Sequence, residues 1–237
     1  MIGVLGGMGP LATVDFFSKV IAATPASCDE HHVPLLIQSD PRIPARPAAI
    51  LRGAHSPLQA LLAGRDRLIA AGVVALAMPC NTAHFWYPDL VQGCSVPFLS
   101  IVDACGKELG ALAPPGGQVG IIATRATLAA KIFDTHLLRL GYIPVLPEDE
   151  QLEDLILPAI ELVKAGAAVD GGHLIEQAVK RLSARGATAV ILACTETPVA
   201  LDAIQSGWRS NCIDSTGALA RSCVDWWRHH ALAGEPR

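Results

Sequence analysis

Apolar positions along the chain come in short runs, separated by stretches with helical period. Residues 2–5 form one such run and stop at Gly6-Gly7-Met8-Gly9-Pro10. A helical pattern follows over about 11–23, then a second apolar run at 33–38 and a proline-rich loop from Ser39 through Pro47. Residues 56–71 again read as helix, with Pro57 at a permitted first-turn position and Gly72 closing it. Residues 73–78 predict a buried strand, a helix starts near Asn81, and 98–102 predict a further strand or strand-to-helix passage. Strand and helix alternate, which predicts a parallel α/β sheet, because parallel neighbours need crossovers.

The pattern then restarts. Residues 119–123 predict a strand that runs into Thr124, followed by a helix to about Leu140 that Gly141 caps. A short strand at 143–146, helices over 153–164 and 170–185, and a buried strand at 190–193 complete the series. The run at Ile2 matches the run at Val119, an offset of 117, and Cys80 matches Cys194, an offset of 114. Two like halves predict a duplicated, pseudo-twofold pair of α/β domains, 1–111 with 212–237 and 117–211, joined at Pro114-Pro115-Gly116-Gly117. The stretch 214–230, with Trp226 and Trp227, predicts a helix packed back on the first half.

Composition narrows the classes. Of 237 residues, 51% are hydrophobic and 17% charged, enough for a core and too apolar for disorder. A net charge of −4 without a basic run argues against nucleic-acid and membrane-surface partners. No apolar run approaches the ~20 residues of a membrane span, and the first residues carry no charged leader pattern. Seven cysteines without a regular framework predict free thiols and a reducing cytoplasm.

Cys80 and Cys194 each fall at the carboxyl end of a predicted strand, just before a predicted helix. Ligands of parallel sheets bind at that edge, and a helix N-terminus there favours the thiolate. A single cysteine is an ordinary buried thiol, and Cys28, Cys94, Cys105, Cys212 and Cys223 are read so. Equivalent positions in two like halves should face one cleft, which predicts the active site between the domains. Two opposed thiols suit one reaction: one removes a proton from a carbon centre and the other returns one to the opposite face, without cofactor or metal. Asn81, Thr82 and Thr195, beside the cysteines, can hold a carboxylate or simply cap helices, and Thr124 is the second half's counterpart of the glycine loop. Arg42, Arg46 and Lys164 read as ordinary loop and helix-end charges, yet each could grip a second carboxylate. His84 could tune Cys80 or sit on a helix face. Glu196 could tune Cys194 or favour a helix N-terminus.

Gly6-Gly7-Met8-Gly9-Pro10-Leu11-Ala12-Thr13, Met78-Pro79-Cys80-Asn81-Thr82-Ala83-His84 and Ala193-Cys194-Thr195-Glu196 together resemble the aspartate/glutamate racemase superfamily, in its aspartate branch. Cell-wall glutamate racemases carry Asp-Ser-Gly after the first strand and Thr-His after the second cysteine. Here those places hold Gly6-Gly7-Met8 and Thr195-Glu196. The resemblance implies a cofactor-independent racemase of aspartate or a close acidic amino acid, with Cys80 and Cys194 as acid/base residues. It further implies substrate contacts from Met8, Arg46 and Lys164, and a homodimer. The family's loop pattern is Pro-Asp-Arg-Thr; Ala45 and Pro47 depart from it, which leaves glutamate or a broader amino-acid range open. A dinucleotide enzyme fits poorly, because Pro10 interrupts Gly7-x-Gly9-x-x-Ala12 and no acidic residue ends the second strand at the expected place. A metal hydrolase lacks paired ligands at useful spacing. A non-catalytic dicarboxylate-binding protein on the same fold is the remaining rival, with the cysteine pair against it.

Overall fold

A computed structural model describes residues 1–230. The chain divides into two compact units, Met1–Ala104 with the chain from Thr216 on, and Cys105–Ser215.

The first unit contains β1 (Ile2–Gly6), α1 (Pro10–Ala23), β2 (Leu35–Ser39), α2 (Arg46–Arg52), α3 (Leu58–Ala70), β3 (Ala75–Ala77), α4 (Tyr87–Val91), β4 (Phe98–Leu99), the start of α5 (Ile101–Leu109) and, near the C-terminus, α12 (Ser215–His230). Its sheet has the order β2-β1-β3-β4, all parallel, with Ile2 beside Leu35 on one side and Ala75 on the other. A strand with parallel neighbours on both sides is covered on both faces, so all of β1 is buried. Leu5, Leu61, Leu68, Leu76 and Met78 form the core.

The second unit contains β5 (Gln118–Ala123), α6 (Arg125–Ala129), α7 (Ile132–Arg139), β6 (Ile143–Val145), α8 (Asp149–Gln151), a π-turn at Leu152–Ile156, α9 (Leu157–Lys164), α10 (Ala168–Ala184), β7 (Ala189–Ala193), α11 (Glu196–Ala203) and β8 (Cys212–Asp214). The order β6-β5-β7-β8, again parallel, repeats the first sheet's topology. Its core is Ile122, Ile156, Ile175, Leu182, Leu192 and Leu201.

Four local expectations need correction. The loop read through Pro47 already turns into α2 at Arg46, because proline is allowed in a helix's first turn. The helix expected to run unbroken to Leu140 is two helices, divided where Lys131 takes φ +51. The helix expected from Asn81 is a 3-10 turn, Thr82–Trp86, followed by the five-residue α4. In α12 the buried face is Leu219, Ala220, Cys223 and Val224, whereas Trp226 and Trp227 are half-buried, and Trp226 stacks on His230.

The glycine loop after β1 is closely packed. Gly7 has φ +91, and a Cβ there would lie 2.3 Å from the Asp40 backbone nitrogen. Its N–H donates to Thr13 Oγ1 at 2.9 Å, and that hydroxyl donates on to the Gly9 carbonyl at 3.1 Å. Gly7→Ala should therefore destabilise by about 2–4 kcal/mol, combining left-handed strain with a backbone clash. Gly110→Ala, with nothing within 4 Å of its Cβ, should stay within about 1 kcal/mol. Urea unfolding of the two variants checks the contrast.

Candidate active site

Cys80 follows β3 in the first unit and is 6% exposed. Its carbonyl, at a strand end that has run out of sheet partners, accepts from Nδ1–H of buried His84 at 2.8 Å. Nε2 of the same ring accepts from the Ile101 N–H, at the first residue of α5, at 3.1 Å. One ring nitrogen thus donates and the other accepts, which fixes the neutral tautomer. Burial lowers the His84 pKa to about 4, against a weaker upward pull from the Cys80 carbonyl and Asp103. Of the two roles weighed for His84, the structure supplies a backbone brace for Cys80. Met8 and Ile43 lie in the same buried cluster as Cys80. Asn81 is buried and Thr82 half-buried, and Asn81 does not cap the 3-10 turn through its side chain. Five residues of 3-10 turn are too short to give Cys80 the full dipole of an α-helix, contrary to the sequence expectation.

Two of the candidate cations, both arginines, separate here. Arg42 is exposed and spends its guanidinium on Asp40, Nε to Oδ1 at 3.0 Å. Arg46 is half-buried at the first turn of α2, and its Nη1 donates to the Ile43 and Pro44 carbonyls at 3.0 Å. No carboxylate of the described residues pairs with Arg46, and its buried Nε has no hydrogen-bond partner.

Cys194 follows β7 in the second unit and is 8% exposed. Ala193 and Ala123 are register partners, so Thr124 and Cys194 leave neighbouring strands at the same edge. Thr124 caps α6, its hydroxyl oxygen accepting from the Thr127 N–H at 3.4 Å. The Cys194 carbonyl accepts from the Thr197 hydroxyl at 2.8 Å and the Thr197 N–H at 3.2 Å. The thiol donates to Glu196 Oε2 at 3.0 Å, and the Thr195 hydroxyl donates to the same oxygen at 2.8 Å. Lys164, at the end of α9, is ion-paired with Glu161 at 2.8 Å. Burial opposes its charge, but the Glu161 hydrogen bond and the negative charge of Glu161, Glu196 and Cys194 raise its pKa overall.

Burial first, and then the Glu196 carboxylate, hold the Cys194 thiol well above its ordinary range; the Glu196 N–H and Lys164 pull only weakly the other way. The direction is opposite to the expected dipole-stabilised thiolate, because burial, and after it the adjacent carboxylate, outweigh the α11 N-terminus. The sequence reading missed Thr197 and gave Thr13 no role. The signal for Thr197 was its place three residues after Cys194, where a side chain can reach back to a strand-end carbonyl.

A buried thiol at the carboxyl edge of each of two like α/β units suits proton chemistry at a carbon centre. The chain belongs to the Asp/Glu/hydantoin racemase family, whose pattern matches residues 5–223. At that level it is an isomerase of the amino-acid racemase kind. It is 31% identical over 231 residues to the broad-specificity amino-acid racemase RacX of Bacillus subtilis (strain 168), covering 94% of this chain and 96% of that one. Picrophilus torridus aspartate racemase superposes with a TM-score of 0.80 at 31% identity, covering 94% of this chain and 92% of that one. Glutamate racemase from Francisella tularensis, solved with D-glutamate, shares the fold at a TM-score of 0.71 and 18% identity, covering 100% of this chain and 84% of that one.

His84 makes a pH prediction. Its folded pKa lies below the unfolded value of 6.5, so the unfolded chain takes up the proton first. Stability should be complete above pH 6.5 and fall as pH drops toward 4. Between pH 7 and 4 the wild-type protein should lose about 3 kcal/mol more than His84→Gln, measured by urea unfolding at both pH values.

Proposed function

We propose that the chain is a cofactor-independent racemase of an acidic amino acid, aspartate first, in which Cys80 and Cys194 act on opposite faces of one Cα. The observation that carries this reading is the equivalent placement of the two thiols after β3 and β7, in sheets of identical order, each with its carbonyl pinned by a side chain three or four residues on. In each direction a thiolate takes the Cα proton and the other cysteine, as thiol, donates one to the opposite face. The electron pair rests meanwhile on the α-carboxylate, whose oxygens need N–H donors such as those beside Asn81, Thr82 and Thr195. Seven free thiols suit a reducing cytoplasm. The family resemblance adds a homodimer, which light scattering would report as about twice 24.8 kDa.

Arg46 supports the acidic side chain. Among the described residues no carboxylate pairs with it, and two loop carbonyls fix its Nη1 while its Nε has no hydrogen-bond partner there. That is a guanidinium with donors to spare for a planar anion. The likeness to an aspartate racemase points the same way. A second reading, a broader amino-acid range, draws on Lys164, whose charge Glu161 already matches, and on the similarity to RacX.

A panel of L- and D-amino acids incubated in D2O, scored by chiral chromatography and by deuterium at Cα, tests the reaction and separates the two readings. Racemisation of aspartate well ahead of alanine supports the first; equal turnover supports the second; no inversion of any amino acid contradicts both. Arg46→Ala should raise KM for aspartate about 10- to 100-fold and leave alanine unchanged. Cys80→Ala and Cys194→Ala should each lower racemisation at least about 10³-fold. Each should still eliminate from one hand of a β-substituted aspartate, and the two should choose opposite hands. Full racemisation by either variant would contradict the two-thiol mechanism.

A further inference from the structure

We propose that Glu196 exchanges a proton with Cys194, so that the two side chains work as one acid/base unit holding a single shared proton. The proposal rests on the reading of Cys194 as one of the two acid/base thiols. Its basis is geometric. The Cys194 thiol donates to Glu196 Oε2 at 3.0 Å, a short approach for sulfur. The Thr195 hydroxyl donates to that same oxygen at 2.8 Å and fixes it beside the sulfur. A carboxylate serving only the helix N-terminus would spend its oxygens on backbone N–H groups. Here the side-chain partners of Glu196 are the thiol and the hydroxyl.

In the exchange the S–H bond breaks and an O–H bond forms at Oε2. The electron pair stays on sulfur, leaving a thiolate beside a neutral carboxylic acid that now donates the hydrogen bond back. Reversal restores the thiol and the carboxylate. The pair carries one negative charge in both states, so the exchange creates no new charge in a buried place. Direct loss of the thiol proton to solvent would put two negative charges side by side, which burial and the carboxylate both oppose. The titratable group facing the pair from outside is Lys164 on α9, itself held by Glu161, and it faces the same net charge before and after. Cys194 can then be acid or base according to where the shared proton lies, as a racemase requires of each thiol. At Cys80 the histidine four residues on is neutral and committed to two backbone groups, the Cys80 carbonyl and the Ile101 N–H.

Alkylation by iodoacetamide, followed at the Cys194 peptide by mass spectrometry from about pH 4 to 10, reads the thiolate directly and needs no substrate. A shared proton gives the wild-type protein two steps. The rate rises through the carboxylate range, holds a plateau across neutrality, and rises again when the second proton leaves. Glu196→Gln should show one step, its rate falling about tenfold per pH unit below the thiol range. Glu196→Asp should keep a plateau. A single-step profile in the wild-type protein, or a plateau that survives in Glu196→Gln, overturns the proposal. The wild-type arm decides even if a variant fails to fold. In racemisation, Glu196→Gln should lower kcat about 10²-fold with KM within about twofold. If the plateau is present while no amino acid is inverted, the shared proton stands and the racemase reading fails. If a wild-type protein with a single-step profile racemises, the racemase reading stands and the shared proton fails.

Discussion

Where a buried parallel strand stops, its last carbonyls lose their sheet partners and must find others, and the geometry around both candidate cysteines depends on how that need is met. At Cys80 the partner is the His84 ring, and at Cys194 the Thr197 hydroxyl and N–H. An unsatisfied buried carbonyl costs about 1–3 kcal/mol, so these contacts are strongly held. With the carbonyl held, the backbone that carries each cysteine is held at the carboxyl edge of its sheet. His84 does more, because its second nitrogen takes the first N–H of α5 and so braces the Cys80 turn against the start of that helix.

The two units repeat a topology but not an electrostatic setting. After β3 the chain makes a 3-10 turn and carries a neutral imidazole committed to backbone groups. After β7 it enters an eight-residue helix whose first residue, Glu196, is bonded to the thiol. The helix N-terminus favours thiolate at Cys194, while burial and the carboxylate favour thiol, and the second pair of effects is larger. Two like folds thus give their cysteines unlike neighbours: His84 braces the Cys80 carbonyl, and Glu196 bonds the Cys194 thiol.

Much of this was legible in the sequence, because it lies in residue types at element boundaries. The repeated apolar run, the Gly72 and Gly186 stops and the cysteine after each Val-rich strand mark the alternation of strand and helix in two like α/β units. What escaped was set by tertiary context. Nothing in Ala129-Ala130-Lys131 announces a left-handed turn, since lysine is an unremarkable helix residue. Pro47 reads as a breaker until Arg46 is seen to begin a helix, and three-residue β8 is too short to show a period. Among charges, residue type alone could not separate Arg42 from Arg46, which only the family resemblance singled out; Asp40 occupies the first, and loop carbonyls orient the second. Glu196 stood equally for a helix end or a thiol partner until its oxygen was found on the sulfur.

The two-thiol account is tested most directly by where solvent hydrogen appears first. Enantiopure L-aspartate is converted in D2O, and substrate and product are separated and weighed for deuterium at the first few per cent of reaction. Two thiols on opposite faces predict a D-aspartate product carrying deuterium at Cα and a recovered L-aspartate that is still almost wholly protiated. The same pattern should hold with the hands exchanged when the reaction starts from D-aspartate. Deuterium entering recovered substrate as fast as product, or product that retains the original proton, would show a single base serving both faces and contradict the account.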